Sequence, residues 1–209
     1  NLGGILKDQG LIGEAIRCYD RALELAPGRG AIHSNLILAL HYRAEDAPRI
    51  GPELHRWNER HARPLAPPNP SYPNPRMPDR PLRIGYLSHD FRRHSVAFFL
   101  LPLLEAHDRT QVHVTCYSCN PRSDDITARI RDAADRWQSL VGVPDEDASQ
   151  LIRHDEIDVL VDLAGHTAGN RLPVVARRPA PVQIAYLGFP GPTGLDAIDC
   201  RLGDCHADP

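Results

Sequence analysis

The sequence predicts an α/β protein in which an α-helical segment precedes a parallel, doubly wound sheet. Three observations support this prediction. Residues 1–65 carry a helical pattern that repeats, residues 66–81 are dense in proline, and short apolar segments alternate with amphipathic ones over residues 82–209. Strands that alternate with helices are typical of a parallel sheet with helices on both faces.

The first segment carries small, aromatic and proline residues at the spacing of a tetratricopeptide repeat. Adding its period of about 34 residues to Leu2 reaches Leu36, where a second unit begins, although Ile37 stands where the repeat prefers glycine. A generic helical hairpin is the alternative. Because such repeats bury their apolar faces on one another, we expect more of them before residue 1. The matching positions are Leu2, Gly3, Gly10, Ala15, Tyr19, Ala22 and Pro27.

The proline-dense segment 66–81 separates the repeats from the rest of the chain. Proline removes the N–H that an interior helix or a central strand needs. We therefore expect a stiff, extended connector at residues 66–81, with one domain at 1–65 and another at 82–209.

From residue 82 onward, short apolar or alternating segments predict strands, and the segments between them predict helices, of which 95–108 is apolar and 124–135 is amphipathic. This alternation of strands with helices predicts a parallel, doubly wound sheet. The predicted strands are 82–88, 111–119, 137–142, 157–165, 181–189 and 197–204, and the predicted helices are 95–108, 124–135, 145–156 and 171–178.

Parallel sheets bind ligands at the carboxyl ends of their strands. The loops expected there are polar and rich in glycine and histidine. Glycine lets backbone N–H groups approach a ligand, and helix N-termini favour anionic oxygens. The loops are SHDFRRHS (88–95), NPRSDD (120–125), AGHTAGNR (164–171) and GFPGPTG (188–194).

Three stretches carry a family resemblance: RIGYLSHDFRRHSVAFF, IDVLVDLAGHTAGNRL and RRPAPVQIAYLGFPGPTG. They resemble the catalytic region of the O-linked N-acetylglucosamine transferase and SPINDLY family, with AGHTAGNRL closer to the SPINDLY type. The resemblance implies tetratricopeptide repeats followed by a GT-B glycosyltransferase. Residues 82–209 then correspond to its Rossmann-like N-terminal half, and we expect the second half to lie outside this chain.

The resemblance also implies roles for individual residues. His94 matches a histidine that faces the nucleotide-sugar and is the catalytic candidate, with Arg92 and Arg93 as further contacts for the diphosphate. His166 and Thr167 match a loop of the same cleft. The family's other proposed catalytic histidine is Arg153 here, and its role is not transferred to the neighbouring His154. Gly188, Pro190 and Gly191 match a loop that lines the acceptor space, so that substitution of Gly188 is expected to harm turnover more than folding.

Each candidate also has a plainer interpretation. His94 follows two arginines at the start of a helix, where a surface histidine with a capping role is common. Asp90 either caps that helix or orients a histidine, and capping is the expectation. For His166, a solvated loop position competes evenly with a place in the cleft.

Two sequence patterns resemble metal-binding motifs, but we expect neither of them to bind a metal ion. Cys116 and Cys119 form a CxxC, but in a strand these positions point to opposite faces, whereas a zinc knuckle needs a turn. Asp145 and Asp147 form a DxD after Pro144, where acidic residues complement the dipole of the following helix.

Composition and charge argue against a nucleic-acid-binding protein and a membrane-spanning protein. The net charge of -3 argues against a basic nucleic-acid surface, and no apolar run is long enough for a membrane span. Five irregularly spaced cysteines favour reduced thiols in the cytoplasm.

The resemblance implies a protein O-glycosyltransferase that acts with inversion and, as we expect, without a metal or a cofactor. Its donor would be a UDP- or GDP-sugar carrying N-acetylglucosamine or a similar sugar, and its acceptors would be Ser or Thr of proteins held by the repeats. A non-catalytic tetratricopeptide scaffold with a degenerate transferase domain is the alternative.

Overall fold

A computed structural model describes residues 2–204 of the chain. Its first part is helical, and glycine allows the helices to approach closely. A Cβ at Gly3 would lie 2.6 Å from the ring of Tyr19, so only glycine fits there. The elements are α1 (Leu2–Asp8), α2 (Ile12–Leu25), α3 (Gly30–Leu40), a 3₁₀ turn (Ala44–Asp46), α4 (Ala47–Trp57), a π turn (Asn58–Ala62) and a second 3₁₀ turn (Arg63–Leu65). Their assignment to tetratricopeptide repeats stays a prediction.

The second part is a six-stranded parallel sheet of order β3-β2-β1-β4-β5-β6. The predicted α/β class and all six predicted strands are confirmed. The first strand has the predicted bounds, the third lies at 136–139 instead of 137–142, and the other four are shorter than predicted at both ends. β4 ends at Asp162 because residue 165 turns the chain with a φ of 53°. The strands are β1 (Leu82–Ser88), β2 (Val112–Ser118), β3 (Arg136–Ser139), β4 (Val159–Asp162), β5 (Val182–Tyr186) and β6 (Cys200–Leu202).

Helices cover both faces of this sheet. Neighbouring strand residues point to opposite sides, so Tyr86 packs with α5 and α6 while Leu87 packs with α7 and α8. The α6 helix begins with a capping box between Asp124 and Thr127. The four helices are α5 (Ser95–Ala106), α6 (Asp125–Ala133), α7 (Asp145–His154) and α8 (Leu172–Ala176).

The helical segment and the sheet share one hydrophobic core. Ile37, Leu54 and Trp57 pack in the same cluster as Leu87 and Leu160. This contact brings α3 and α4 against the loops at one edge of the sheet. The division into domains at residues 66–81 stays a prediction, but the parts on either side of it are in direct contact.

Residues 66–81 contain neither helix nor strand, and they are fastened to the sheet. Arg80 forms an ion pair of 2.6 Å with Asp158, which also accepts hydrogen bonds from the side chain of Asn74 and the N–H of Arg83. Burial opposes ionisation of Asp158, but these donors hold its pKa below the ordinary value. The proline-rich segment is therefore held at the amino ends of β1 and β4.

Within residues 2–204, none of the helices combines the length and the apolar character needed to cross a bilayer.

Candidate active site

The strand order reverses between β1 and β4, so the loops that follow these two strands diverge. In an open parallel sheet this reversal creates a crevice at the carboxyl ends of the strands. The loops 89–94 and 163–171 leave the sheet at this point. Most of the predicted site residues lie in these two loops and in the loop after β5.

The loop after β1 is built around the buried carboxylate of Asp90. Its backbone N–H donates to Ser88 Oγ (2.9 Å), and one carboxylate oxygen pairs with Arg92 (3.1 Å). The other oxygen lies 3.7 Å from His94 Nδ1. The expectation that Asp90 caps α5 is wrong, because His94 occupies the N-cap position. The remaining interpretation, that Asp90 orients a histidine, stays a prediction, because 3.7 Å is too long for a hydrogen bond and Nδ1 of His94 accepts from Val96.

His94 caps α5 through one of its ring nitrogens. Its extended backbone lets Nδ1 accept a hydrogen bond of 3.3 Å from the N–H of Val96. A neutral imidazole that accepts at Nδ1 carries its proton on Nε2. The side chain remains 35% exposed, so the group it offers to a ligand is an N–H donor. The capping interpretation is confirmed, while the catalytic role stays a prediction.

Arg92 and Arg93 both form ion pairs within the protein. Arg92 is held by the buried Asp90, whereas Arg93 pairs at 2.6 Å with Asp125 on the surface. The backbone N–H of Arg93 also donates to Asp124 (2.7 Å), which joins this loop to the start of α6. Exposed pairs of the Arg93 type contribute only about 0–1 kcal/mol, so Arg93 is the arginine that can turn to a ligand at low cost.

Gly188 is required by the fold. Leu187 and Gly188 have φ values of 56° and 51°, and the N–H of Phe189 closes a tight turn onto Leu187 O (2.5 Å). A Cβ on Gly188 would lie 2.0 Å from Leu163 O, a backbone atom that cannot move aside. The expectation that substitution of Gly188 spares folding is therefore wrong. The glycine allows the loops after β4 and β5 to touch.

A cavity of about 690 Å³ opens beside this turn. Gly188, Pro190 and Gly191 line it together with Asp162. The assignment of the first three to the acceptor space stays a prediction. Its described lining does not include Arg92, Arg93 or His94. The structure thus divides the predicted residues into two groups, one after β1 and one between β4 and β6.

His166 supports this cavity from behind. Its side chain is fully buried, with Nε2 donating to Thr193 O (2.8 Å) and Nδ1 3.0 Å from the hydroxyl of Ser34. The rings of Trp57 and Phe189 pack edge-on against it. Burial lowers its pKa to about 4, so the ring is neutral.

Both expectations for His166 fail for the same reason. A side chain without exposed surface neither touches a ligand nor lies in solvent. It instead links α3 to the loop that lines the cavity.

Thr167 lies on the other side of the same loop. Its hydroxyl donates to Ala164 O (2.8 Å), which shapes the turn. It lines a second cavity of about 580 Å³ between the helical segment and the loop, together with Asn35 and Arg60. Thr167 is thus near a cleft, but not the cleft that Gly188 lines.

Sequence reasoning missed Asp162, the last residue of β4. Gly165 N–H donates to its Oδ2 (2.7 Å), while Oδ1 is buried without a partner in the described part of the chain. Burial raises its pKa to about 6. The signal was present in IDVLVDLAG, where an acidic residue interrupts an apolar run just before a glycine turn.

The two patterns that suggested a metal have structural roles. Cys116 and Cys119 pack in different cores, on opposite faces of the sheet. Asp145 pairs with Arg171, which also donates to backbone carbonyls at Leu140 and Val143. Across residues 2–204, His, Cys, Asp and Glu side chains form no cluster of three or more suited to a metal ion.

Comparison with known proteins assigns a family to this arrangement. The model of "Glycosyl transferase family 41" matches residues 63–209. The chain belongs to this family.

Related proteins are similar in sequence to most of this chain. A probable UDP-N-acetylglucosamine--peptide N-acetylglucosaminyltransferase SPINDLY from Oryza sativa is 38% identical over 93% of the chain and 21% of its own length. The corresponding protein from Arabidopsis thaliana is 41% identical over 84% of the chain and 20% of its own length. The chain thus spans about one fifth of these relatives.

A solved structure shares the architecture as well. An O-GlcNAc transferase mutant (K341M) from Thermobaculum terrenum superimposes with a TM-score of 0.95 and 44% identity. The match covers 100% of this chain and 40% of that chain.

Proposed function

We propose that this chain is part of a protein O-glycosyltransferase that moves a sugar from a nucleotide-sugar to Ser or Thr hydroxyls. Membership of glycosyl transferase family 41 supports the transferase class. The relatives are described as UDP-N-acetylglucosamine--peptide N-acetylglucosaminyltransferases, which favours N-acetylglucosamine or a similar sugar as the group transferred. We further propose that the protein acts in the cytoplasm.

The observation that carries this proposal is the orientation of His94. Its Nδ1 accepts from the N–H of Val96, so a neutral ring carries its proton on Nε2, and the side chain is 35% exposed. A diphosphate leaving group gains negative charge as the glycosidic bond to it breaks, and a fixed N–H donor stabilises that charge. His94 therefore serves as a donor to the departing diphosphate in this proposal. A role as base would require the ring to leave its cap.

Cations complete the proposed leaving-group site without a metal. Arg93 exchanges its surface partner Asp125 for a phosphate oxygen at little cost. Arg92 stays on Asp90 and keeps the loop in place beside His94. With the diphosphate held on one side, attack by the acceptor hydroxyl from the opposite side inverts the anomeric centre.

The acceptor side of the proposed site is the cavity lined by Gly188, Pro190 and Gly191. Its volume of about 690 Å³ is sufficient for a short extended polypeptide that brings a Ser or Thr hydroxyl. The helical segment contacts these loops through His166 and Ser34. We propose that its tetratricopeptide repeats hold the remainder of the protein substrate.

The test is a transfer assay on the full-length protein with UDP-N-acetylglucosamine and GDP-fucose as alternative donors and a Ser/Thr-rich protein as acceptor. Mass spectrometry locates the sugar, and NMR of the product reports the anomeric configuration. The proposal expects hydroxyl-linked sugar of inverted configuration, formed equally well with EDTA. Absence of transfer and of donor binding with both nucleotide-sugars would favour the non-catalytic scaffold.

A further inference from the structure

A separate polar cavity lies beyond the ends of β2 and β3, and neither the predicted site nor the proposed function uses it. Its volume is about 250 Å³. Ser118 and Ser139 line it, and they pair in register as the last residues of their strands. The other walls come from the loop after β2, from α6 and from residues of β3. We refer to it as the β2–β3 pocket.

Asn120 leaves a donor unused at this pocket. The residue lines the pocket and is 8% exposed. Its Oδ1 accepts from the N–H of Arg122 (2.9 Å), which fixes the orientation of the amide. Its Nδ2 is buried and has no hydrogen-bond partner among the described residues. Buried amide donors are nearly always satisfied in folded proteins, so an acceptor is expected here.

Two arginines give the β2–β3 pocket a positive charge. Arg122 and Arg131 line it, and neither is among the arginines that form ion pairs in residues 2–204. Arg131 stacks on the ring of Trp137, with the guanidinium carbon 5.0 Å from the ring centre. This stacking holds the guanidinium in place while leaving its N–H groups free to donate. The described lining contains no carboxylate.

We propose that the β2–β3 pocket binds a phosphate group. Two guanidinium groups, the Asn120 amide and the serine hydroxyls supply several donors around a small space, which matches an ion with several oxygens and up to two negative charges. A neutral ligand would leave both arginines without a counter-charge. The phosphate belongs either to a phosphorylated side chain of a polypeptide or to a free phosphate. Neither case depends on glycosyl transfer.

The test is isothermal titration of the full-length protein with inorganic phosphate and with a phosphoserine peptide, at about 0.15 M salt so that diffuse ion binding is screened. We expect saturable binding with one phosphate per chain. Arg122→Gln and Arg131→Gln should each weaken it by about tenfold or more, because each removes a charge-assisted contact. Asn120→Asp keeps the acceptor for the Arg122 N–H and replaces the free donor with a negative charge, so it should abolish binding.

Arg129→Gln is the matched control. Arg129 lies on the same helix, pairs with Glu105 and does not line the pocket, so its loss should leave phosphate affinity unchanged. Tighter binding of the phosphoserine peptide than of inorganic phosphate identifies a polypeptide as the source, and the reverse identifies a free phosphate. Absence of saturable binding, or equal losses in Arg129→Gln and Arg122→Gln, would overturn the proposal. Arg122 lies on an exposed loop, so its variant decides the matter if Arg131→Gln unfolds.

Discussion

Acid should destabilise the chain through His166, which links the helical segment to the cavity loop. Its pKa is about 4 when folded, against an ordinary 6.5, because the ring is buried. The unfolded chain therefore binds the proton more readily, and stability falls as the pH drops from about 6.5 towards 4. At pH 5 this difference in pKa lowers the free energy of unfolding by about 2 kcal/mol.

A matched variant isolates this contribution. Urea unfolding of the wild-type chain and of His166→Gln at pH 7.5 and pH 5 gives four free energies of unfolding. The wild type should be the more stable at pH 7.5, because His166 packs against Trp57 and Phe189. Its advantage should shrink by about 2 kcal/mol at pH 5, since glutamine does not titrate. An advantage that stays constant between the two pH values would refute the reasoning.

Two further predictions concern the loops after β4 and β5. Gly188→Ala should lower the free energy of unfolding by about 3 kcal/mol or more, because the added Cβ would clash with Leu163 O. Gly142 has a similar positive φ but lies in open space, so Gly142→Ala should lower it by only about 1 kcal/mol. Equal losses in the two variants would contradict the clash. Asp162 has a pKa raised to about 6, so the stability of the wild type relative to Asp162→Asn should fall by about 2 kcal/mol as the pH rises from 4 to 8, a comparison in which the contribution of His166 cancels; parallel curves would contradict a buried, unpartnered carboxylate.

Local patterns were sufficient to predict the sheet. Most strands are short apolar runs between polar turns, and the alternation of strands with helices implied parallel pairing. The separation of Cys116 from Cys119 also followed from the two-residue period of a strand. The ends of strands were less accurate, because a turn such as that at Gly165 begins inside the apolar run.

Contacts between distant residues could not be predicted in the same way. Ser34 and His166 are 132 positions apart, so nothing near His166 indicates that a helix buries it. Gly188 posed a similar problem, because a loop glycine at a crevice suits both a ligand and a close backbone contact. Only the short distance between a Cβ placed on Gly188 and Leu163 O distinguishes these alternatives. At the start of α5, Asp90 and His94, four residues apart, competed for one cap, and the backbone conformation of His94 decided between them.

The most direct test of the central claim, that His94 stabilises the leaving diphosphate, is the turnover of His94→Asn in the full-length enzyme. Asparagine is a good N-cap, so α5 and the melting temperature should be preserved while the Nε2–H donor is lost. The account predicts wild-type stability with turnover at saturating donor reduced by about 100-fold or more. Near-wild-type turnover in this stable variant would contradict it.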